Sequence, residues 1–239
     1  MKPLAARLVA SDWHPGVPPA SLRDAPAPWL LRVDRTREAV QASAAELEVL
    51  LSHAERQRRN ALRRNEDRER FLLGRAVLRL QLGHWLERDP ASLRLIQGPH
   101  GKPALAPEGE RTPQFNVAHS GDLILLAFHP RHPVGVDVER QRPDLDWEPV
   151  ARRVLSAGEL RELQVLPAAQ RGEAFLAAWC RLEARLKARG DGFSGLERLR
   201  EEQRLAPMGP EAPPTPALWR SEEHTSELQS HSDLVCRLL

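Results

Sequence analysis

The chain has 239 residues, 41% of them hydrophobic, which is enough to bury the core of one large domain or two small, tightly packed ones. No apolar run approaches the roughly 18 residues of a membrane span, and Met1–Gly16 lacks the apolar core of a signal peptide, so we expect a soluble, cytoplasmic protein. The formal net charge of +2 does not favour a nucleic-acid binder. Two cysteines, Cys180 and Cys236, are too few for a disulfide framework or a thiolate metal site.

The first predicted element is a strand at Trp29–Asp34, framed by proline-rich loops. Two helices follow it. Ser52 and Glu55 have the spacing of a capping box that opens one, and a helical pattern of apolar residues from Phe71 to Leu86 marks the other.

A meander of three short strands is predicted next, at Phe115–His119, Leu123–Phe128 and Val134–Glu139. Two more helices follow, one opened by Ser156 and the other running over 168–189. This order of elements predicts an α+β fold with two α/β halves rather than a regular βαβ series.

We expect an N-terminal half at 1–130 and a C-terminal half at 131–219. Residues 220–239 continue no pattern and look like the translation of a sequencing adapter, so a non-native, disordered tail is expected there. The last strands of the second half would then be missing, which would leave an unpaired sheet edge and a weakened core.

Two acidic residues in one predicted strand, Asp137 and Glu139, lie two positions apart and therefore project from the same face. Paired carboxylates of this kind suit Mg²⁺ bound together with a substrate phosphate. The alternative is an exposed polar strand face.

A second set of polar residues shares one helical stripe, because Trp179, Glu183 and Lys187 are spaced at i, i+4 and i+8. A solvated Glu–Lys pair is the plain alternative. Lysine is rare, however: 3 of the 35 cationic residues are lysines, among them Lys102 and Lys187. Lysine gives a compact charge that can approach a phosphate and can release a proton.

His119 ends a predicted strand, and Ser120 begins the small-residue turn after it, where backbone can approach a phosphate, although a lone strand-end histidine is more often structural. The arginines of 56–79 suit a phosphate-binding patch, a nucleic-acid face or a solvated helix surface.

Four motifs occur in one order along the chain: 101–103 (Gly-Lys-Pro), 115–121 (Phe-Asn-x-x-His-Ser-Gly), 134–139 (Val-Gly-Val-Asp-Val-Glu) and 179–192 (Trp-x3-Glu-x3-Lys-x2-Gly-x-Gly). Together they resemble the Sfp-type phosphopantetheinyl transferases over roughly residues 50–195. Residues 70–75, Arg-Phe-Leu-Leu-Gly-Arg, are similar to a helix signature of that family.

The resemblance implies a pseudo-dimer of two similar α/β halves with coenzyme A in the cleft between them. It implies that Asp137, Glu139 and Glu183 hold Mg²⁺ against the pyrophosphate of coenzyme A. Glu183 would also deprotonate the acceptor serine, and Lys187 would neutralise or protonate the departing phosphate. The products would be a carrier with a phosphodiester-linked arm and adenosine 3′,5′-bisphosphate.

The same resemblance implies that Lys102, His119 and Ser120 contact coenzyme A, with Arg58 and Arg70 helping to hold the nucleotide. One departure concerns the residue before the helix glutamate, where the family commonly has lysine and this chain has Leu182. Arg181 or Arg185 is the expected substitute for that cation.

The implied partners are coenzyme A and an apo acyl carrier or peptidyl carrier protein, with neither nucleic acid nor a membrane, and a monomer is expected. Two alternatives stay open at this point: a truncated, inactive member of the family, and an Arg-rich nucleic-acid-binding protein.

Overall fold

The computed structural model describes residues 12–14, 28–107, 112–142, 144–205 and 234–238. The chain divides into two compact units, Met1–Val134 and Gly135–Leu239, whereas the sequence suggested a boundary at 130. Helices and antiparallel sheets occur together, which confirms the α+β class. Among the described residues, no helix has the length and apolar character needed to cross a bilayer.

The first unit is built on a four-stranded antiparallel sheet in the order β1-β2-β6-β5, with a separate hairpin of β3 and β4. Among the residues that the structure describes, four helices and a 3-10 turn accompany these strands. In chain order the elements are β1 (Trp13–His14), β2 (Trp29–Asp34), α1 (Glu38–Gln41), α2 (Ala44–Glu48), α3 (His53–Ala61), α4 (Asn65–Leu86), a 3-10 turn (Pro90–Ser92), β3 (Leu95–Gln97), β4 (Pro103–Leu105), β5 (Gln114–Ser120) and β6 (Leu123–His129).

Strand β6 is the centre of this core, because Leu123–Phe128 are at most 2% exposed and pair with both β2 and β5. Trp85 of α4 packs edge-on against Phe128, with ring centroids 4.9 Å apart. The buried face of α4 therefore covers the sheet, and β5 lies beside the strand that anchors the core.

Helix α4 also buries a charge. The side chain of Arg79 is 1% exposed and forms an ion pair of 2.8 Å with Glu55 of α3. Its guanidinium also donates to the carbonyl oxygens of Pro90 and Leu93, each at 2.9 Å. Glu55 in turn completes the predicted capping box with Ser52, so one carboxylate both caps α3 and neutralises Arg79.

The described residues of the second unit form two paired strands, four helices and a 3-10 turn. Its elements are β7 (Val136–Arg140), α5 (Glu148–Val154), α6 (Ala157–Val165), α7 (Ala168–Arg189), a 3-10 turn (Gly192–Gly195), α8 (Leu196–Leu205) and β8 (Leu234–Leu238). The long predicted helix is confirmed as α7, and the capping box of Ser156 and Glu159 opens α6 as predicted.

The expectation of a disordered tail does not hold at Leu234–Leu238. These residues form β8, which pairs antiparallel with β7 so that Asp137 lies opposite Arg237. The pairing gives the backbone of β7 a hydrogen-bonding partner along an edge that was expected to be open. The rest of the expected tail, 220–233 and Leu239, lies outside the described residues.

Replacing Glu55 with glutamine should lower the free energy of unfolding by about 3 kcal/mol, because Arg79 would stay buried without a counter-charge. Glutamine preserves the capping-box geometry, so the change isolates the charge. Urea unfolding measures the loss. The control is Glu48→Gln, which removes the 2.8 Å ion pair of Arg59 with a carboxylate that is 44% exposed and should cost less than about 1 kcal/mol. Equal losses in the two variants would contradict a buried charge at Arg79.

Candidate active site

Helix α7 approaches the start of β7 at Gly135, where only a glycine fits. A Cβ atom at this position would lie 1.9 Å from the carbonyl oxygen of Ala184 and 2.6 Å from the backbone nitrogen of Ala188. Both contacts are to helix backbone, which cannot rotate away. The missing side chain therefore lets α7 lie directly against the strand and places Glu183 and Lys187 beside it.

The polar contact at this junction is an ion pair between the two elements. The Nζ atom of Lys187 lies 2.5 Å from Oδ1 of Asp137. Asp137 is 4% exposed, and its second oxygen, Oδ2, is buried without a hydrogen-bond partner among the described residues. A buried carboxylate oxygen without a partner is costly, and it offers an unused ligand position to a cation.

Glu183 shares this environment. Burial raises the pKa of its carboxyl group, Lys187 opposes the rise, and the charges of Asp137 and Glu139 add to it. The charges of Asp137 and Glu139 thus act on Glu183, although they lie on different elements.

These residues fit a magnesium ion by donor chemistry, because carboxylate oxygens are the ligands that Mg²⁺ prefers and Oδ2 of Asp137 has no hydrogen-bond partner in the part of the chain that the structure describes. Among the described residues, no group of three or more His, Cys, Asp or Glu side chains is arranged as a metal site. In this arrangement the ammonium of Lys187 supplies the positive charge at Asp137.

The first unit holds a groove of opposite character, which we call the basic groove. One wall comes from α3 and α4, and the other from β5 and the segment between β3 and β4. Its lining residues are Arg58, Arg70, Phe71, Gly74, Arg75, Leu78, Gly101, Pro103, Val117 and His119.

Two arginines flank the ring of Phe71 in this groove, with the guanidinium carbon of Arg58 at 5.8 Å and that of Arg75 at 5.6 Å from the ring centroid. Burial lowers the pKa of Arg75, Glu55 opposes this, and neighbouring arginines add to it. Glu55 pairs with both Arg75 and Arg79, so this single carboxylate neutralises only one of the two positive charges. Such a groove favours phosphate groups.

The predicted coenzyme A contacts fall into two groups. Arg58, Arg70 and His119 line the basic groove. Lys102 and Ser120 are not among its lining residues: the ammonium of Lys102 donates to the carbonyl oxygen of Val134 at 3.1 Å, and Ser120 pairs with Leu123 in the sheet.

Sequence reasoning did not select Phe71 or Arg75 as site residues, although both lie within the helix signature at 70–75. The signal was their spacing on one face of α4, since Phe71 and Arg75 are one helical turn apart.

The expected substitute for the missing lysine is not found near the carboxylates. Arg181, Leu182 and Arg185 line a groove against the start of α6 and against α8. On a helix of 3.6 residues per turn, positions two away from Glu183 point to nearly the opposite side. Arg181 and Arg185 thus lie beside Leu182 on the side of α7 away from Glu183, and their role as substitutes for the lysine stays a prediction.

Several arginines of 56–79 bind within the unit rather than facing solvent. Arg56 donates to the carbonyl oxygen of Leu51, and Arg68 donates to that of Leu62 at 2.8 Å. Arg59 pairs with Glu48. These internal partners reduce the charge available to a nucleic acid, which is bound mainly through many phosphate contacts.

Comparison with known proteins gives consistent matches to both parts of the chain. A family model described as the 4′-phosphopantetheinyl transferase superfamily matches residues 133–235, and one described as 4′-phosphopantetheinyl transferase, N-terminal, matches residues 39–131. The two matches together cover Asp137, Glu139, Glu183 and Lys187 as well as every residue that lines the basic groove.

Individual relatives agree. The 4′-phosphopantetheinyl transferase HetI of Nostoc sp. is 34% identical over 217 residues, which covers 89% of this chain and 88% of HetI. The protein slr0495 of Synechocystis sp. is 36% identical over 62% of this chain and 60% of its own length. The 4′-phosphopantetheinyl transferase AcpT of Escherichia coli O157:H7 is 43% identical over 52% of this chain and 58% of its own length. The chain thus spans about three fifths of the last two relatives and nearly all of HetI.

Replacing Gly135 with alanine should destabilise the second unit by about 3 kcal/mol or more, because the new Cβ meets the backbone of α7. Thermal unfolding measures the change. Gly158→Ala is the matched control, since the nearest atom to a Cβ there is 3.8 Å away and alanine favours the helix. A Gly135→Ala protein that melts like the wild type would refute the close approach of strand and helix.

Lys102 provides a pH-dependent prediction, because burial lowers its pKa from 10.5 to about 8. Between these values the unfolded chain binds more protons than the folded one, so the amine's contribution to stability rises with pH. Urea unfolding of the wild type and Lys102→Met at pH 7 and pH 10 should show the wild type gaining about 1 kcal/mol relative to the variant, a figure reduced for the partial exposure of the amine. A constant difference would mean that the amine is not desolvated.

Proposed function

This chain belongs to the 4′-phosphopantetheinyl transferase family, and we propose that it moves the phosphopantetheine arm of coenzyme A to a serine of an apo acyl carrier or peptidyl carrier protein. The observation that carries the proposal is the arrangement around Asp137: a buried carboxylate with one oxygen on Lys187 and the other without a partner among the described residues, beside the half-buried Glu183. Phosphoryl-type transfer depends on positioned charges of this kind.

Glu183 is the proposed general base. Burial raises its pKa, which makes its carboxylate a stronger proton acceptor than an exposed glutamate. The carboxylate would take the proton of the carrier serine while the serine Oγ forms a bond to the β-phosphorus of coenzyme A.

Lys187 is proposed to act on the leaving group. As the bridging oxygen bond to the β-phosphorus breaks, its electron pair stays with adenosine 3′,5′-bisphosphate, and an ammonium can neutralise or protonate that oxygen. The ion pair with Asp137 keeps the Lys187 ammonium at this junction.

Asp137, Glu139 and Glu183 are the proposed ligands of Mg²⁺, which would neutralise charge on the pyrophosphate of coenzyme A. Two features make these residues suitable ligands for Mg²⁺. They carry oxygen donors, and Oδ2 of Asp137 has no hydrogen-bond partner among the described residues.

The basic groove is the proposed binding place for phosphate groups of coenzyme A. Support comes from Arg58 and His119, which the family resemblance implies as coenzyme A contacts and which line the groove, and from the added cation of Arg75. The roles expected for Lys102 and Ser120 in binding coenzyme A stay predictions. Arg70 also lines the groove and is a proposed contact of coenzyme A.

We also propose that the two units are similar halves of a pseudo-dimer and that the protein acts as a cytoplasmic monomer. Support comes from the two separate family matches, which divide the chain at 131–133. Two related halves in one chain remove the need for a second copy to complete the fold.

The direct test is mass spectrometry of purified apo acyl and peptidyl carrier proteins incubated with the chain, coenzyme A and Mg²⁺. Transfer adds about 340 Da, the mass of the arm. Glu183→Gln should slow the reaction by about 10²- to 10⁴-fold, because the proton acceptor is lost.

Two controls make the outcome specific. Glu173→Gln changes an exposed glutamate of the same helix and should transfer at the wild-type rate. Removal of Mg²⁺ with a chelator should stop transfer if the carboxylates hold the metal. A folded protein that binds coenzyme A and yet modifies neither class of carrier would contradict the proposal and favour an inactive member of the family.

A further inference from the structure

The turn between β5 and β6, Gly121–Asp122, is tied to other parts of the first unit by two arginines. It begins two residues after His119, which lines the basic groove. Arg70 of α4 donates to the carbonyl oxygen of Gly121 at 2.7 Å and pairs with Asp67 at 2.5 Å. Although Arg70 lines the groove, its guanidinium is thus engaged with the turn.

Arg35 makes the second connection. It follows β2, and its Nε lies 2.6 Å from a carboxylate oxygen of Asp122, an ion pair by distance in which the N–H is not aligned for a hydrogen bond. Its Nη1 lies 2.7 Å from Glu69 of α4, and its backbone N–H donates to the carbonyl oxygen of Asp122 at 2.9 Å. One residue therefore joins the end of β2, the turn and the helix.

These contacts link the two walls of the basic groove. The α4 wall carries Phe71 and Arg75, while the β5 wall carries Val117 and His119. Glu69 lies on α4 close to the first pair, and Asp122 lies three residues beyond His119. A rotation of the turn would move His119 relative to the arginines across the groove.

The side chains that bind Arg35 are too exposed for a large contribution to global stability. Asp122 is 39% exposed and Glu69 is 51% exposed, and ion pairs with such partners are weakened by solvent and salt. Pairing of β5 with β6 from Gln114 to Ser120 already fixes the sheet without them. Their effect falls on the turn beyond the last paired residue.

We propose that Arg35 is a positioning residue for the basic groove: it holds the Gly121–Asp122 turn against α4 and so fixes His119 for a phosphate-bearing ligand. Arg35 is not among the described residues that line the groove. It therefore acts through the turn rather than on the ligand. The proposal rests on the proposed function in taking coenzyme A as that ligand.

The experiment measures the dissociation constant of coenzyme A by calorimetry for the wild type, Arg35→Gln and Arg35→Lys. Loss of the connection should weaken binding about 3- to 30-fold in Arg35→Gln, within the usual range of coupling through intermediate residues, and less in Arg35→Lys. Steady-state assays should show a higher KM for coenzyme A with kcat unchanged. Hydrogen exchange should be faster at 121–123.

Arg59→Gln is the matched control. Arg59 and Arg35 are both 20% exposed and both pair with a glutamate of α2 or α4, but Arg59 does not contact the turn. Its variant should bind coenzyme A as the wild type does. Asp122→Asn removes only the carboxylate charge from the turn and should weaken binding in the same direction as Arg35→Gln, even if the latter folds poorly.

The outcomes separate the two proposals. A folded wild type that does not bind coenzyme A overturns the proposed function, and the positioning role with it. A wild type that binds coenzyme A, with Arg35→Gln or Asp122→Asn binding equally well, overturns the positioning role alone.

Discussion

The close contact of α7 with the start of β7 is the constraint on which the candidate active site depends. A strand and a helix usually pack through side chains, which keep their backbones apart. At Gly135 the backbone of α7 replaces a side chain. This brings Lys187 within 2.5 Å of Asp137 and brings Glu183 under the influence of both acids of β7. The packing of α7 against β7 thus requires a glycine at position 135 of the motif. The positions of Asp137 and Glu183 relative to each other follow from this packing.

The basic groove depends on a different kind of interaction, a buried arginine. Arg79 is held by Glu55 and by two carbonyl oxygens, which fixes α3 against α4. Glu55 lies 3.4 Å from Arg75 as well, so a structural ion pair and a groove cation share one carboxylate. Since one negative charge faces two arginines, the local excess of positive charge is built into the helix packing.

Local patterns in the sequence were sufficient to predict much of the fold. The capping boxes at Ser52 and Ser156 and the period of α7 depend on neighbouring residues, and all three are confirmed. Strand β8 could not be predicted in this way, because a five-residue strand is defined by its partner β7 rather than by its own pattern. The burial of Arg79 was equally hidden, since an arginine on a helix is normally exposed.

The candidate site was predictable where spacing alone determines direction. The stripe of Glu183 and Lys187 and the shared face of Asp137 and Glu139 follow from helix and strand periods. The spacing of residues in the sequence does not identify the partner of each charged side chain. The plain alternative paired Lys187 with Glu183 on a solvated face, whereas the ammonium contacts Asp137, 50 residues away in the chain.

The same limit explains Arg70, which is predicted as a ligand contact and lines the groove, while its guanidinium also binds the carbonyl oxygen of Gly121. An arginine with five donors can bind a phosphate or the backbone of a turn, and a sequence motif does not distinguish the two uses. Arg58 and Arg75 differ in that they lie over the ring of Phe71 within the groove. Aromatic stacking holds a guanidinium in place while leaving its N–H donors available, which suits a cation that must bind a ligand. The contacts therefore divide the arginines of the groove into one, Arg70, that holds the turn at the groove wall and two, Arg58 and Arg75, that present charge inside the groove.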